Sequence, residues 1–431
     1  MNMITRSLTA SALIIASTAC ATGRTATGAR GLAVADSTAI LRDIAWLASD
    51  KLEGRLTGTA GNDSAAAYIA RRFASLKLEA PFPGYLQKFE ARSAADAHAG
   101  VAQARATQNV VGILRGAEPT LREQYIVIGA HHDHLGRSTT SALDPDARDA
   151  IRNGADDNAS GTSSVLELAR MFSVSRPKRS VIFVTFSGEE QGLLGSQYFV
   201  ENPPVPLDRM VAMLNFDMVG RMKNDELMVY GTATASELAS MIDSANTMSA
   251  SPLKVSGSGD GFGSSDHSSF YGKNIPVLHF FTDLHSDYHR ATDDTEKINA
   301  AGAARVADFA FRIAKRIDAR PANLTFVRSN APSRSRPSSQ GSQTYLGSVP
   351  DMSAGTVPGL RLTGVRPGSP ADTGGLKAGD IIVEFGGKEV KDLYGYTEAL
   401  YSHKPGETVK VVFLRDGKRT ETTVTLGRRG G

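Results

Sequence analysis

The chain has 431 residues, 41% hydrophobic and 22% charged, a length for two or three soluble globular domains. Lys and Arg number 48 against 45 Asp and Glu, so there is no basic footprint for a nucleic acid or an anionic membrane surface. With Cys20 as the single cysteine, thiolate metal sites, disulfides and cysteine nucleophiles are excluded from the body of the chain.

In chain order, residues 1–21 read as an export signal. Arg6 supplies a positive start, residues 8–16 are apolar but too few to span a bilayer, and small residues follow in Ser17-Thr-Ala-Cys-Ala21. Thr18-Ala19-Cys20 resembles the lipidation site of bacterial lipoproteins, with Ser17 where that pattern has Leu, Val or Ile; Ala19-Cys20-Ala21 also fits plain cleavage. The expectation is an exported bacterial protein, membrane-anchored through a lipid on Cys20 and facing the periplasm, or else periplasmic or secreted. Residues 22–37 are mostly small and make a tether.

Ile40, Ile44, Leu47 and Leu52 recur about once per helical turn, and residues 62–76 predict a second helix. Apolar strand-like runs at 125–129, 181–186, 210–216 and 275–281 then alternate with helical patterns, among them 160–172 and 303–317. Strands that are apolar throughout and separated by helices imply a sheet covered on both faces. The expected fold is therefore α/β, a three-layer α/β/α domain over residues 38–320. Ser, Pro and Arg dominate 321–342, a flexible linker. Residues 343–428 are short strands and turns. Their Tyr345-Leu346-Gly347 and Gly375-Leu-Lys-Ala-Gly-Asp-Ile-Ile382 runs resemble a mainly-β PDZ domain of the bacterial protease-associated kind. That resemblance implies that Leu346 and Gly347 form a loop whose backbone N–H groups take a peptide C-terminus.

Five segments bearing imidazoles or carboxylates follow or end apolar runs. They are Gly129-Ala-His131-His132-Asp133-His134, Gly154-Ala-Asp156-Asp157-Asn158, Ser187-Gly-Glu189-Glu190, Asn215-Phe-Asp217 and Tyr288-His289. Strand carboxyl ends gather at one edge of an open α/β sheet, so distant segments can converge there. A set of imidazoles and carboxylates without thiolates suits zinc and tolerates cobalt or manganese. Two metals about 3.5–4 Å apart need a bridging carboxylate, end ligands and a separate carboxylate as base. Neighbouring side chains on an extended chain point to opposite faces, so Glu189 and Glu190 can divide two of these roles.

In this order the segments resemble the co-catalytic zinc aminopeptidase family, whose fold also serves glutamate carboxypeptidase and glutaminyl cyclase. The resemblance covers about residues 38–320 and implies two Zn2+ per catalytic domain. It places His131 and Asp217 on one zinc, Glu190 and His289 on the other, Asp157 as the bridge and Glu189 as general base. Asp133 would orient the His131 ring, and a cis peptide would precede Asn158. Ser265-Asp266-His267 matches a motif near the family's pocket, with Asp266 a supporting carboxylate and not a ligand. The implied reaction is hydrolysis of the N-terminal residue of peptides by water held between the metals. Carboxypeptidase or cyclase chemistry on the same fold, or a PDZ-mediated binding protein with a decayed site, are the alternatives.

Other polar residues get plainer expectations. His132 and His134 are read as outside the ligand set, and Asp156 as a hydrogen-bonding neighbour. His285 either lines the pocket or lies on the surface, and Asp293-Asp294 is a helix-start pair. Where the secreted aminopeptidases carry a cysteine pair before Ser-Asp-His, this chain has a glycine-rich stretch at 257–264, which predicts a more mobile pocket wall. Residues 80–120 are too few for an inserted protease-associated domain.

Overall fold

The computed structural model describes residue 1 and residues 33–91, 104–138, 142–144, 147–257, 259, 261, 263, 265–328, 344–350, 359–365, 368–391 and 393–428. Residues 2–21 of the export signal, most of the tether, linker residues 329–342 and residue 343 of the PDZ segment lie outside the described residues.

The first part runs α1 (Ser37–Leu47), α2 (Ala60–Ser75), β1 (Leu86–Ala91), β2 (Arg105–Leu114), β3 (Tyr125–His131), α3 (Gly161–Ser175) and β4 (Ser180–Phe186). It continues through α4 (Leu194–Glu201), β5 (Met210–Phe216), β6 (Glu226–Tyr230), α5 (Leu238–Thr247), β7 (Lys254–Ser256), α6 (His267–Tyr271), β8 (Val277–Phe281) and α7 (Ala300–Ala319). The eight strands form one mixed sheet in the order β1-β2-β4-β3-β5-β8-β6-β7. Strands β4, β3, β5 and β8 are mutually parallel, and the outer pairs β1–β2, β2–β4 and β6–β8 are antiparallel.

Burial follows the two-residue period of a strand. Ile126, Ile128, Val181 and Phe183 pack with Val165, Phe172, Phe309 and Ile313 of α3 and α7 on one face. Val127, Ile182 and Val184 pack with Phe199, Phe270 and Tyr271 of α4 and α6 on the other. Both faces are therefore covered, which is why these strands read as continuous apolar runs. The expected three layers are present.

One element departs from the pattern. Leu52 keeps the helical spacing, yet α1 ends at Leu47, and Leu52 is buried in a short 3-10 segment, Asp50–Arg55. Glu53, Gly54 and Arg55 have φ of 45°, 69° and 52°, a left-handed run that an α-helix cannot contain.

The C-terminal part has its own core, with Leu346, Leu360, Leu362, Ile382, Phe385 and Val411 at its centre. Its elements are β9 (Thr344–Tyr345), β10 (Ser348–Pro350), β11 (Leu360–Val365), α8 (Pro370–Thr373), β12 (Ile381–Phe385), β13 (Lys388–Glu389), α9 (Leu393–Tyr401), β14 (Thr408–Arg415), β15 (Lys418–Thr425) and β16 (Gly427–Arg428). Antiparallel pairing runs β10-β11-β12-β14-β15, and β16 returns to pair with β9. Asp380, in the Lys-Ala-Gly-Asp run, takes both Nε and Nη2 of Arg415 at 2.7 Å. Leu346 is buried in this core rather than presented to solvent, and its carbonyl accepts from the Ala371 N–H. Gly347 takes φ 82°, and a Cβ there would meet Ser369 Oγ at 2.4 Å.

Candidate metal centre

Parallel register brings the five segments together. His131 lies opposite Phe186 across β3–β4, Gly129 opposite Asn215 across β3–β5, and Phe216 opposite Phe280 across β5–β8. The strands thus end level, and Glu189, Asp217 and His289 follow three of those ends.

Asp157 occupies the centre. Its Oδ1 lies 3.4 Å from His131 Nε2, and its Oδ2 lies 3.2 Å from His289 Nε2. On the first side, His131 Nε2 is 3.3 Å from Asp217 Oδ1. On the second, His289 Nε2 is 3.2 Å from Glu190 Oε2. Glu189 stands apart from both pairs, its Oε2 3.9 Å from His131. The peptide bond between Asp157 and Asn158 is cis.

His131 Nδ1 lies 3.2 Å from the Asp133 backbone carbonyl and 3.7 Å from its carboxylate. A carbonyl only accepts, so the ring proton sits on Nδ1 and Nε2 offers its lone pair to the centre. The Asp133 carboxylate itself accepts from Thr57 Oγ1 at 2.9 Å and from the Glu189 N–H at 3.2 Å, and so fixes the turn that carries Glu189. Ser265 of the Ser-Asp-His run donates to Asp217 Oδ2 at 2.8 Å. Asp266 is fully buried, and burial pushes its carboxyl up to about 7.

The electrostatics ask for cations. Burial raises Glu189, and the carboxylates of Glu190, Asp217 and Asp266 raise it further, well above the ordinary range despite His131 beside it. Burial would lower the His131 and His289 imidazoles, but Asp217 and Glu189 beside the first, and Glu190 and Asp157 beside the second, hold both well above 6.5. Oxygen and imidazole donors from His131, Asp157 and Asp217, and from His134, Asp157 and Glu190, each converge within 4.8 Å. This donor set fits a pair of divalent ions such as zinc.

Several residues stand where the sequence did not put them. His134, read as outside the ligand set, touches that set: its Nδ1 is 2.7 Å from Glu190 Oε1. It lies beyond the end of β3 at His131, where the two-residue period of a strand no longer sets the side chain's direction. His132 does obey the rule; its ring meets the Thr185 backbone, and burial pushes it down to about 3. Asp293-Asp294 does precede a short 3-10 helix, Thr295–Lys297, but Asp293 has a second role. It is fully buried, and its Oδ2 accepts the backbone N–H groups of Asp156 and Asp157, both at 3.0 Å. Asp156 behaves as a hydrogen-bonding neighbour, taking the Gly220 N–H at 2.6 Å and lying 3.1 Å from His285 Nε2. His285 is therefore buried behind Asp156, not a surface residue.

Two contributors carried no sequence signal. Arg55, fully buried, donates to the carbonyls of Leu47 at 2.5 Å, Asn153 at 2.6 Å, His132 at 2.8 Å and Gly154 at 2.9 Å. It ties the end of β3 to the loop carrying Asp157. His279, inside the apolar run of β8, lines the pocket, stacks on His267 with centroids 4.4 Å apart and is pushed down to about 4 by burial. Gly154 is required as glycine: at φ 58° a Cβ would lie 2.0 Å from the Asp157 carbonyl oxygen.

The pocket above these groups encloses about 530 Å3, part of it open to solvent, and Met218, Phe281, Leu284 and Tyr288 form apolar walls. Of the glycine-rich stretch expected to be mobile, residues 258, 260, 262 and 264 lie outside the described residues.

Comparison with known proteins agrees with this geometry. The model of peptidase family M28 matches residues 109–314, and that of the PDZ domain matches residues 339–426. A probable zinc metalloprotease of Pyrenophora teres f. teres is 37% identical over 117 residues, 27% of this chain and 23% of that protein. The chain spans about a quarter of the length of such curated relatives. A zinc aminopeptidase from Bacillus subtilis shares the fold at 18% identity and TM-score 0.54, covering 70% of this chain and all of that one (100%). Glutaminyl cyclase from Bacteroides thetaiotaomicron shares it at 16% identity and TM-score 0.54, covering 65% of this chain and 98% of that one. Residues 109–314 form a segment of the peptidase family M28 type, and residues 339–426 form a PDZ domain.

Proposed function

We propose that this protein is an exported aminopeptidase that uses two zinc ions to remove N-terminal residues from peptides. The observation that carries the reading is the Asp157 carboxylate, whose two oxygens face His131 and His289 separately, with Glu189 left over in the same pocket. Two ions held by His131 and Asp217, by Glu190 and His289, and by Asp157 between them would polarise the scissile carbonyl and acidify water. Cobalt or manganese could substitute on this donor set.

The chain's own residues do the rest. Glu189 takes a proton from the attacking water and passes it to the departing amine nitrogen. Met218, Phe281, Leu284 and Tyr288 favour an apolar N-terminal side chain. Of the two imidazoles on Glu190, His289 is assigned as ligand because its Nε2 also reaches Asp157 at 3.2 Å, whereas His134 Nδ1 is 3.8 Å away. Asp133 and Asp266 act as supporting carboxylates. The loop at Leu346 and Gly347 is proposed to take peptide C-termini. Lipid attachment at Cys20 would make this a periplasm-facing anchored protein; palmitate labelling that survives Cys20→Ser would disprove the attachment.

The test of the catalytic reading is Glu189→Gln in the full chain. It should keep two equivalents of zinc yet lose at least about a hundredfold in kcat. Near-normal kcat removes the assignment. A free-amine leucyl p-nitroanilide should be cleaved while its N-acetyl form is inert; the reverse points away from an aminopeptidase.

A further inference from the structure

One residue lining the catalytic pocket does not belong to the peptidase segment. Thr397 lies on α9, in the PDZ domain, and shares the pocket with Asp157, Glu189 and Leu284. The helix has two occupied sides. Tyr396, Ala399 and Leu400 are buried in the PDZ core, where Tyr396 meets Phe385 edge-on with centroids 5.6 Å apart. Thr397 is about 100° further round the helix from Tyr396 and points off that core. It is half-buried, unlike the buried Tyr396 beside it. Tyr396 also shares a 2.6 Å hydrogen bond with Ser348 of β10, so α9 is fastened to the strand that follows the Leu346-Gly347 loop.

We propose that α9 of the PDZ domain is the outer wall of the substrate pocket and that Thr397 is a specificity-determining residue, limiting the bulk of the peptide end that fits. This rests on the aminopeptidase reading for its substrate but not for its geometry. The peptidase segment alone leaves the pocket open on that side, and the linked domain closes it. Selectivity for peptide ends is then a property of the whole chain.

The experiment uses the full-length protein with Cys20→Ser. Thr397→Cys with Leu284→Cys should cross-link within one chain through a short bismaleimide, and Thr397→Cys with Glu201→Cys, on the outside of α4, should not. In parallel, Thr397→Trp should retain zinc and fold, and should lower the leucyl-to-alanyl ratio of kcat/KM about tenfold, the size expected when a pocket wall gains bulk. Thr397→Ala should move the ratio the other way. No cross-link between 397 and 284, or an unchanged ratio in a zinc-loaded Thr397→Trp, overturns the inference. If the parent protein cleaves no free-amine peptide, the aminopeptidase reading fails, and the cross-link still decides whether the wall exists.

Discussion

Asp293 accepts the backbone N–H of Asp157 on the same carboxylate oxygen that accepts the N–H of Asp156. The bridging carboxylate is therefore aimed by a residue from the segment that also carries His289. Asp293→Ala would leave two buried N–H groups unpaired, at about 1–3 kcal/mol each, and let the Asp157 loop shift. Zinc affinity should fall about 10- to 100-fold, as for other groups that orient a metal ligand. Asp293→Asn keeps an acceptor oxygen and should recover most of it. Competition with a chelating dye measures both; an Asp293→Ala protein with parental zinc affinity removes the role.

His134 and His289 both reach Glu190, and their separate roles can be read from metal content. His289→Ala should lose one of two zinc equivalents, because a donor atom is gone. His134→Gln should keep both equivalents with weaker affinity, since the side-chain amide still donates to Glu190 Oε1. Equal loss of one equivalent in both variants would make His134 a ligand.

The fold was legible where one physical rule acted alone. Strands β3, β4 and β5 are covered on both faces, so their apolar runs survive as pattern, and the ligand segments sit at their ends. Strands β1 and β6 were not legible, because exposed and buried positions alternate along Leu86–Ala91 and Glu226–Tyr230, and β2 was not because the buried polar residues Thr107, Gln108 and Asn109 interrupt its apolar pattern. His131, Asp157, Glu190, Asp217 and His289 could be named because residue type and order both constrain them. Asp293 and Arg55 could not. Each works through backbone groups of a loop that is distant in sequence, and backbone atoms leave no trace in side-chain pattern. The His134–Glu190 contact was not legible either, because His134 lies beyond the end of β3, where the two-residue period no longer tells which way a side chain points.

Arg55 holds four carbonyls with one guanidinium, and burial pulls its own pKa down to about 10. Arg55→Ala leaves those carbonyls buried without donors and should cost about 3–5 kcal/mol, the range for removing a buried hydrogen-bonded charge. Arg55→Lys should rescue little, since an ammonium has three donors and no fork. Urea unfolding of the zinc-loaded proteins reads the difference. A loss below about 1 kcal/mol for Arg55→Ala would show that water replaces the guanidinium.

Removing metal should make stability sharply pH-dependent, and the sign can be worked out. Without cations, His131 and His289 have folded pKa values raised well above 6.5, so their contribution is complete below that value and is lost as pH climbs through the raised values. Glu189, also raised, holds a proton in the folded chelated protein that the unfolded chain has already released above about 4.5, which again costs stability as pH rises. Glu190 and Asp217 are lowered by the imidazoles beside them despite burial, so their contribution is lost only in acid, below the ordinary carboxylate range. The chelated protein should therefore be most stable near pH 4.5, weaken above it as Glu189 loses its advantage, and weaken more steeply above about pH 6.5 as the imidazoles join. Zinc requires the same imidazoles neutral and the same carboxylates ionised, so its binding strengthens in the direction in which the chelated fold weakens. The gap in Tm between zinc-loaded and chelated protein should widen from pH 6 to pH 8. A gap that stays constant or narrows would mean that these carboxylates and imidazoles do not share their charge with a metal.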